Sequence, residues 1–422
     1  MNSTIAKPSV PTASLTFFER TASFLTLLFA VSVFVWKPGI YAASGLIIVY
    51  LVTRAFLDVD YRQAVWQNRM TKVTLAMFAL GLLTSAISAN QFEDFSWMAR
   101  KTMFLPVIVF FTFALTQQRN KDIAMTGLIA SFWIASLITL SRYGWQMNFG
   151  GRMQGIWPQG TWDNLLGLFL CFLVLYAKWA NSKVTIRIIY IATMLMALLM
   201  VLLAGGRGPW LALAVSLVAY FLIFKRDTKV LITAVLAGVI AIVASTTIFH
   251  DKTRGFLDRV ASINDPQEGS RWVRVQLWQI GIAHMSELIK TEPFKAVFGS
   301  GSKSYNQTQI DFFETLPYDE EAKAALQEFG YPSGDTHNNY IDSALRNGLL
   351  WTAAIFLYLI WLGTRFSVHA VRKTPEPSIV LLYFYIMAMV YTVVPHFMSF
   401  FFALFITMLL APDQDALRKQ AN

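Results

Sequence analysis

The chain has 422 residues, of which 55% are hydrophobic and only 14% are charged. Soluble domains carry roughly 25% charged residues, so this composition excludes a string of ordinary globular domains. The net charge of +10 includes no basic stripe with interleaved aromatic residues, which argues against a nucleic-acid partner. The only cysteine, Cys171, cannot form an intramolecular disulfide and lies in an apolar run, where we expect it to pack.

Apolar runs recur along the chain with lengths near the roughly 20 residues that cross a bilayer as a helix. They lack the strict alternation of a membrane β-barrel. The sequence therefore predicts an all-α polytopic membrane protein with about twelve transmembrane helices. The predicted spans are residues 21–36, 39–53, 71–89, 102–118, 122–141, 163–180, 188–204, 209–224, 230–248, 339–364, 378–394 and 397–411.

One long polar insert interrupts these runs. The predicted organisation is a bundle of nine spans in residues 1–248, an insert at 249–338, three further spans in 339–411 and a tail at 412–422. A connection of about ninety residues is far longer than helix–helix loops require, so the insert is interpreted as a functional, partly helical domain.

Lysine and arginine in the short loops predict the orientation. With a cytoplasmic N-terminus, nineteen of them fall in cytoplasmic loops and termini, against six in the opposite short loops. The positive-inside rule therefore places both termini in the cytoplasm and the insert outside it. Residues 249–346 contain ten basic and fourteen acidic side chains, so the basic excess belongs to the rest of the chain.

Arginines outside the cytoplasm run against the topology rule, which makes them candidates for function. Arg207 lies in the run Ala-Gly-Gly-Arg-Gly-Pro-Trp between two apolar helices, with no acid nearby in sequence. The glycines let backbone amides approach a ligand, and Pro209 suits the first turn of the next helix. The alternative is a tight hairpin whose arginine reaches headgroup phosphate.

Arg152 lies in a second glycine-rich turn, Phe-Gly-Gly-Arg-Met-Gln-Gly. Trp145, Trp157 and Trp162 flank it. The structural alternative is an interfacial aromatic belt with a snorkelling arginine.

Arg271 and Arg274 begin an apolar-rich stretch that runs to Ile289, with Ser270 as the expected N-cap. Cations at a helix N-terminus oppose the helix dipole, whereas a bound anion is favoured by both dipole and side chains. This arrangement indicates a phosphate site. The alternative is a surface ion pair with Asp265 or Glu268.

His337 lies where the insert enters a membrane helix, with Asp335 or Thr336 as expected N-cap. The helix dipole disfavours imidazolium there, and a neutral imidazole is what a general base needs. The alternative is a structural interfacial histidine. No second His or Cys lies at ligand spacing, so neither a metal nor a cofactor is predicted. The turn around Gly299 and Gly301 is expected to be flexible and to approach substrate.

These motifs together resemble the O-antigen ligases of lipopolysaccharide assembly, within a wider group that includes O-antigen polymerases and O-linked oligosaccharyltransferases. The resemblance covers nearly the whole chain in topology. The motifs that carry it are Gly206-Arg207-Gly208, Ser270-Arg271-Trp272, Phe298-Gly299-Ser300-Gly301, and His337-Asn338-Asn339-Tyr340 leading to Gly348. They specify the wider group and separate ligase from polymerase poorly.

The resemblance implies a GT-C type of glycosyltransferase in the bacterial inner membrane, with its site at the periplasmic face. It implies metal-independent, inverting transfer of preassembled O-antigen from undecaprenyl pyrophosphate to lipid A-core. In this scheme His337 is catalytic, and Arg207, Arg271 and Arg152 bind pyrophosphate. The possible supporting residues are Arg274, Asp335, Asn338, Tyr340, Gly299 and Gly301.

Two alternatives to a ligase stay open. A polymerase or a protein O-oligosaccharyltransferase of the same group would differ only in its acceptor. A lipid-linked glycan flippase or secondary transporter is disfavoured, because no two-half repeat is evident and the spans lack ionisable residues at mid-depth.

Overall fold

The computed structural model describes residues 12–88, 92–143, 153–176, 183–225, 269–301, 304–318, 320–328, 336–391 and 397–411. Within these ranges the chain forms helices and no strand, in agreement with the predicted all-α membrane protein.

Ten helices lie in the described residues before the insert, and the tenth continues into a π-helical turn, Tyr220–Lys225. They are α1 (Thr12–Val35), α2 (Lys37–Leu57), α3 (Val59–Gln67), α4 (Arg69–Ser88), α5 (Phe92–Thr102), α6 (Phe104–Ala114), α7 (Gln118–Tyr143), α8 (Gln159–Leu175), α9 (Val184–Ala204) and α10 (Arg207–Ala219).

The insert contributes four described helices and the C-terminal part four more. They are α11 (Gly269–Thr291), α12 (Pro293–Phe298), α13 (Ser304–Glu314), α14 (Glu320–Glu328), α15 (Asn339–Thr364), α16 (Val368–Lys373), α17 (Glu376–Ala388) and α18 (Phe397–Leu410).

Eight helices of the described part are long and apolar enough to cross a membrane. Three more predicted spans correspond to shorter apolar helices, Gly160–Leu175, Glu376–Ala388 and Met398–Leu410. The predicted span at 230–248 lies outside the described residues. The count of twelve spans and the GT-C resemblance therefore stay predictions.

Aromatic side chains fill the centre of the bundle. Phe34 of α1 packs edge-on against Phe169 of α8, with ring centroids 4.9 Å apart. Phe172 of the same helix stacks on Phe405 of α18 at 4.6 Å. Cys171 is fully buried among these helices, so its expected packing role is confirmed.

The insert packs on one end of the bundle and has its own small apolar core. Val273, Leu277 and Ile280 project from one face of α11 toward Phe313 of α13 and Leu326 of α14. The segment after Pro317 forms the short helix α14.

A pair of glycines joins the insert to the membrane helix α15. Gly348 has φ 84° and ψ 160° inside α15, a conformation open essentially only to glycine, and it kinks the helix. A Cβ on Gly348 would meet the Val297 carbonyl oxygen at 2.2 Å, and one on Gly299 would meet the Arg346 carbonyl oxygen at 2.4 Å.

Backbone hydrogen bonds close this contact between the insert and α15. The amide of Ser300 donates to the Leu345 carbonyl at 3.2 Å, and the amide of Gly301 donates to the Arg346 carbonyl at 3.2 Å. The expectation of a flexible turn at Gly299 and Gly301 is therefore wrong. The turn is buried and satisfies carbonyls that the kink in α15 exposes.

Gly348→Ala is predicted to undock the insert, because the new Cβ has no space and the backbone conformation is strained for alanine. We expect loss of monodisperse protein or a fall in the melting temperature of more than about 5 °C in detergent. Gly45→Ala is the matched control, since its Cβ would meet only Met103 Cε at 4.0 Å. Equal melting temperatures for Gly348→Ala and the parent would contradict this account.

Candidate functional site

The turn that carries Arg207 is built by glycine backbone geometry. Gly205 ends α9 in the left-handed region, with φ 73°, and Gly206 precedes α10 in an extended conformation. Arg207 is the first residue of α10 and Pro209 lies in its first turn, as predicted. The N-terminus of α10 therefore carries a half-buried arginine, and a helix N-terminus beside a cation is a combination that favours an anion.

A buried carboxylate lies against this turn. A Cβ on Gly206 would meet Asp163 Oδ2 at 2.6 Å, and Asp163 of α8 is only 3% exposed. No acidic residue lies near Arg207 in the sequence, but in the folded protein the Asp163 carboxylate lies next to the Arg207 turn. Asp163 lies 44 positions earlier, and only the packing of α8 against α10 brings it to the turn.

Tyr391, just beyond α17, connects the Arg207 turn with the insert. A Cβ on Gly208 would meet Tyr391 Cε2 at 2.9 Å. The guanidinium carbon of Arg274 lies over the same tyrosine ring, 5.8 Å from its centroid. One aromatic side chain thus contacts both the α10 N-terminus and a cation of α11, the latter within the range of a cation–π interaction.

The start of α11 differs from the prediction by two residues, because an N-cap at Ser270 requires a helix that begins at Arg271. The helix begins at Gly269, so Ser270 lies inside its first turn instead of capping it. Arg271 lies in the same turn, and its side chain is outside the described residues. Arg274 follows one turn later and faces Tyr391.

The loop before α15 holds His337 in the left-handed region, with φ 53°. Only a few per cent of non-glycine residues adopt such a backbone, and histidine is among the types that tolerate it better. The N-cap of α15 is Asn338, whose Oδ1 accepts hydrogen bonds from the amides of Tyr340 and Ile341. The expected caps, Asp335 or Thr336, are therefore wrong, because the helix begins three or two residues later, respectively, than they require. His337 is exposed immediately before the cap.

The buried carboxylate of Asp342 fixes this loop through hydrogen bonds. Its Oδ1 accepts hydrogen bonds from the Thr336 amide at 2.9 Å and from the Tyr305 hydroxyl at 3.1 Å. Asp342, Tyr305 and Thr336 are all fully buried. A buried carboxylate that loses such donors is costly, so the backbone next to His337 is held firmly to α13 and α15.

The His337 loop also packs on the helix that carries Arg274. A Cβ on Gly281 would meet Thr336 Cγ2 at 3.2 Å. Gly281 lies seven residues after Arg274, about two helical turns or about 10 Å. The structure therefore brings Arg207, Arg274 and the His337 loop to one end of the bundle.

Tyr340 and an apolar cavity adjoin the same loop. The Tyr340 hydroxyl donates to the Tyr385 carbonyl at 3.2 Å, and its ring packs on Phe356. Next to Tyr340 an open cavity of about 240 Å³ separates α11 from α15. It is lined by Gly281, Ile282, Met285, Ser286, Tyr340, Ile341 and Ala344.

Arg152 and Asp335 lie outside the described residues. The tryptophans next to Arg152 are informative all the same. Trp157 is 2% exposed and donates its indole N–H to the Val33 carbonyl at 3.0 Å, and Trp162 is fully buried. The aromatic-belt alternative is therefore wrong for these two side chains, because they pack in the bundle core.

The described part of the chain contains no group of three His, Cys, Asp or Glu side chains able to hold a metal ion. His284, the other histidine of α11, is buried and stacks on Phe312 with ring centroids 4.5 Å apart. Burial lowers the pKa of His284 to about 4, since the charged imidazolium is poorly solvated there. His284 therefore packs as a neutral ring at neutral pH.

Four residues around the site escaped the sequence analysis: Asp163, Tyr305, Asp342 and Tyr391. Asp342 left one signal, an acidic side chain in the first turn of an otherwise apolar helix. Asp163 and Tyr391 left none, because their roles depend on contacts between elements far apart in sequence.

The fold and site define an α-helical membrane protein with convergent arginine motifs and a histidine at one end of its bundle. Residues 191–356 match the family model described as O-antigen ligase. The match supports the resemblance to the O-antigen ligase family and a function of the ligase or polymerase type. The matched segment contains Arg207, Arg271, Arg274 and His337. A search of curated proteins found no match.

Proposed function

We propose that this protein is an O-antigen ligase that transfers preassembled O-antigen from undecaprenyl pyrophosphate to lipid A-core. The observation that carries the proposal is the convergence at Tyr391. Gly208 of the Arg207 turn and Arg274 of the insert contact the same side chain. This contact supports a proposal in which two motifs 67 residues apart in sequence contribute to one cationic site.

Pyrophosphate is the leaving group that such a site suits. As the glycosidic bond to phosphate breaks, negative charge develops on the departing oxygen and must be stabilised. Guanidinium groups do this through forked hydrogen bonds, and the amides at the start of α10 add an oriented dipole. In this proposal Arg207 and Arg271 bind the pyrophosphate and Arg274 supports them, with Arg152 as a further contact.

His337 is proposed as the general base. The acceptor hydroxyl oxygen attacks the anomeric carbon from the face opposite the pyrophosphate, and His337 accepts the hydroxyl proton. The carbon–oxygen bond to phosphate breaks, and its electron pair leaves with undecaprenyl pyrophosphate. The rigid loop supports this role, because general-base catalysis depends on hydrogen-bond distance to the proton that is removed.

Both substrates are lipids, and the cavity between α11 and α15 suits their entry. It is open, lined mainly by apolar side chains and adjacent to Tyr340. A prenyl or acyl chain could follow it while the polar head reaches the arginines. Transfer by purified protein supplied with donor lipid and lipid A-core tests the proposal. A polymerase or an O-oligosaccharyltransferase would require a different acceptor, and a flippase would form no glycosidic bond.

We predict that the insert faces the periplasm, because nineteen basic residues lie in loops on the opposite side. Asp311 of α13 and Gln67 of α3 are both exposed, so Asp311→Cys and Gln67→Cys report on the two faces. An impermeant thiol reagent added from the periplasm should label Asp311→Cys alone. Cys171 is buried and needs no replacement. The opposite labelling pattern would place the site in the wrong compartment.

Arg207→Lys should lower transfer about ten- to a hundredfold, since lysine keeps the charge and loses the planar fork. One charge-assisted contact contributes roughly 1.5 to 3 kcal/mol if it is made in the transition state. The same loss is expected for Arg271→Lys. Arg142→Lys, at the exposed end of α7, is the matched control and should transfer normally. Parental rates for both test variants at equal membrane abundance would exclude their phosphate role.

Replacement of His337 should slow transfer at least a hundredfold and leave donor binding nearly unchanged, because general-base assistance contributes about 10² to 10⁴ in rate. His337→Asn is the preferred variant, since asparagine tolerates the left-handed backbone better than alanine. Exposed His369→Asn is the control. EDTA should leave the parent active. Normal transfer by His337→Asn would show that another residue is the general base, and Asp335 would be the next candidate. Reversible inhibition by EDTA would contradict stabilisation of the leaving group by arginine.

A further inference from the structure

A groove between α1 and α7 lies at the end of the bundle remote from the insert. Its open volume is about 880 Å³. Arg20, Ser23, Phe24 and Leu27 line it from α1, and Arg119, Asp122, Ile123 and Thr126 line it from α7. Both sets follow the spacing i, i+3, i+4, i+7, so each forms one continuous helix face.

Contacts at the two ends of the bundle show that this groove is far from the candidate site. Asn120 donates to the Ala114 carbonyl, at the end of α6, and Lys121 donates to the Ala411 carbonyl, just after α18. The start of the α5–α6 segment lies at the other end, where Gly301 of the insert packs against Asp94. The groove therefore opens toward the membrane face opposite the insert.

The walls of the groove are held close together. The Ser23 hydroxyl donates to Asn120 Oδ1 at 2.7 Å in a buried contact. Deeper in the bundle, a Cβ on Gly127 would meet Ala30 Cβ at 3.1 Å and Leu27 Cδ1 at 3.2 Å. Gly127 and Ala30, both small, thus let the two helices approach closely below the groove, which keeps its shape defined.

The mouth of the groove is cationic and its lower part is apolar. Arg20 and Arg119 are both exposed, and neither forms an ion pair or side-chain hydrogen bond with any residue that the structure describes. Asp122 is the one acid among the lining residues, and it accepts a hydrogen bond from Gln118 at 2.7 Å. Below the arginines, Phe24 and Leu27 are 59% and 43% exposed.

We propose that this groove binds an anionic phospholipid of the bilayer leaflet opposite the insert. The headgroup phosphate lies between Arg20 and Arg119, and one acyl chain descends along Phe24, Leu27 and Ile123. Seven residues of helix separate Arg20 from Leu27, about 10 Å of depth, which matches a phosphate above the first part of an acyl chain. Basic grooves between membrane helices recognise anionic headgroups through the same combination of charge and apolar wall.

The experiment measures lipid binding to the purified full-length protein in neutral detergent. Phosphatidylglycerol and phosphatidylcholine with identical acyl chains are titrated separately, and bound lipid is counted by native mass spectrometry. The parent should bind phosphatidylglycerol preferentially. Arg20→Gln with Arg119→Gln should weaken that binding about twentyfold or more, at about fivefold for each arginine near a membrane surface. Arg62→Gln with Arg372→Gln removes two exposed arginines outside the groove and should bind like the parent.

Asp122→Asn gives a result of opposite sign. Removing the groove's carboxylate should strengthen phosphatidylglycerol binding severalfold, a gain that misfolding cannot produce. Phe24→Ser should weaken binding of both lipids, and glycerol phosphate without acyl chains should not compete. Equal phosphatidylglycerol binding by the groove and control double variants would overturn the proposal. Weaker binding by Asp122→Asn, or full competition by glycerol phosphate, would overturn it as well.

Discussion

The position of the insert depends on the close approach of two glycine backbones, Gly299 and Gly348. Neither position has room for a Cβ, and both require positive φ. The kink at Gly348 exposes the carbonyls of Leu345 and Arg346, and the turn of the insert supplies the amides that satisfy them. An unsatisfied buried carbonyl costs free energy, so kink and docking stabilise each other. This contact adds to those of α11 and of the His337 loop with α15, and together they fix the insert relative to the membrane helices.

The hydrogen bonds of Asp342 also fix the loop that carries His337, the proposed general base, to α13 and α15. A single carboxylate oxygen holds the Thr336 amide and the Tyr305 hydroxyl, so the loop, α13 and α15 meet in one buried point. The next residue, His337, has a left-handed backbone whose strain is of order 1 to 3 kcal/mol. Such strain persists only where the surroundings impose it, and here the loop is held on one side by Asp342 and on the other by the Asn338 cap. The exposed imidazole of His337 is thus carried by a loop whose backbone is fixed on both sides.

The cationic site combines attraction with a buried acid. Arg207 and the α10 N-terminus favour an anion, whereas the Asp163 carboxylate against Gly206 repels one. In the proposed function, a pyrophosphate at this turn would therefore depend on the summed charge of arginines from both the bundle and the insert. Tyr391 contacts the α10 N-terminus at Gly208 and offers an aromatic face to Arg274.

The sequence alone determined the helical membrane class, the polar insert and the motif positions, because hydrophobic length and glycine-flanked arginines are local properties. It also placed Arg207 at the start of a helix, since Pro209 and the glycines act within one turn. Only the tertiary structure decided that Asp163 lies at that turn and that Tyr391 joins it to Arg274. The sequence interpreted Gly299 as part of a flexible turn, and it is rigid because its partner, Gly348, lies on another helix. Contacts between elements far apart in the chain depend on how whole helices pack, and no local pattern of residue types records that packing.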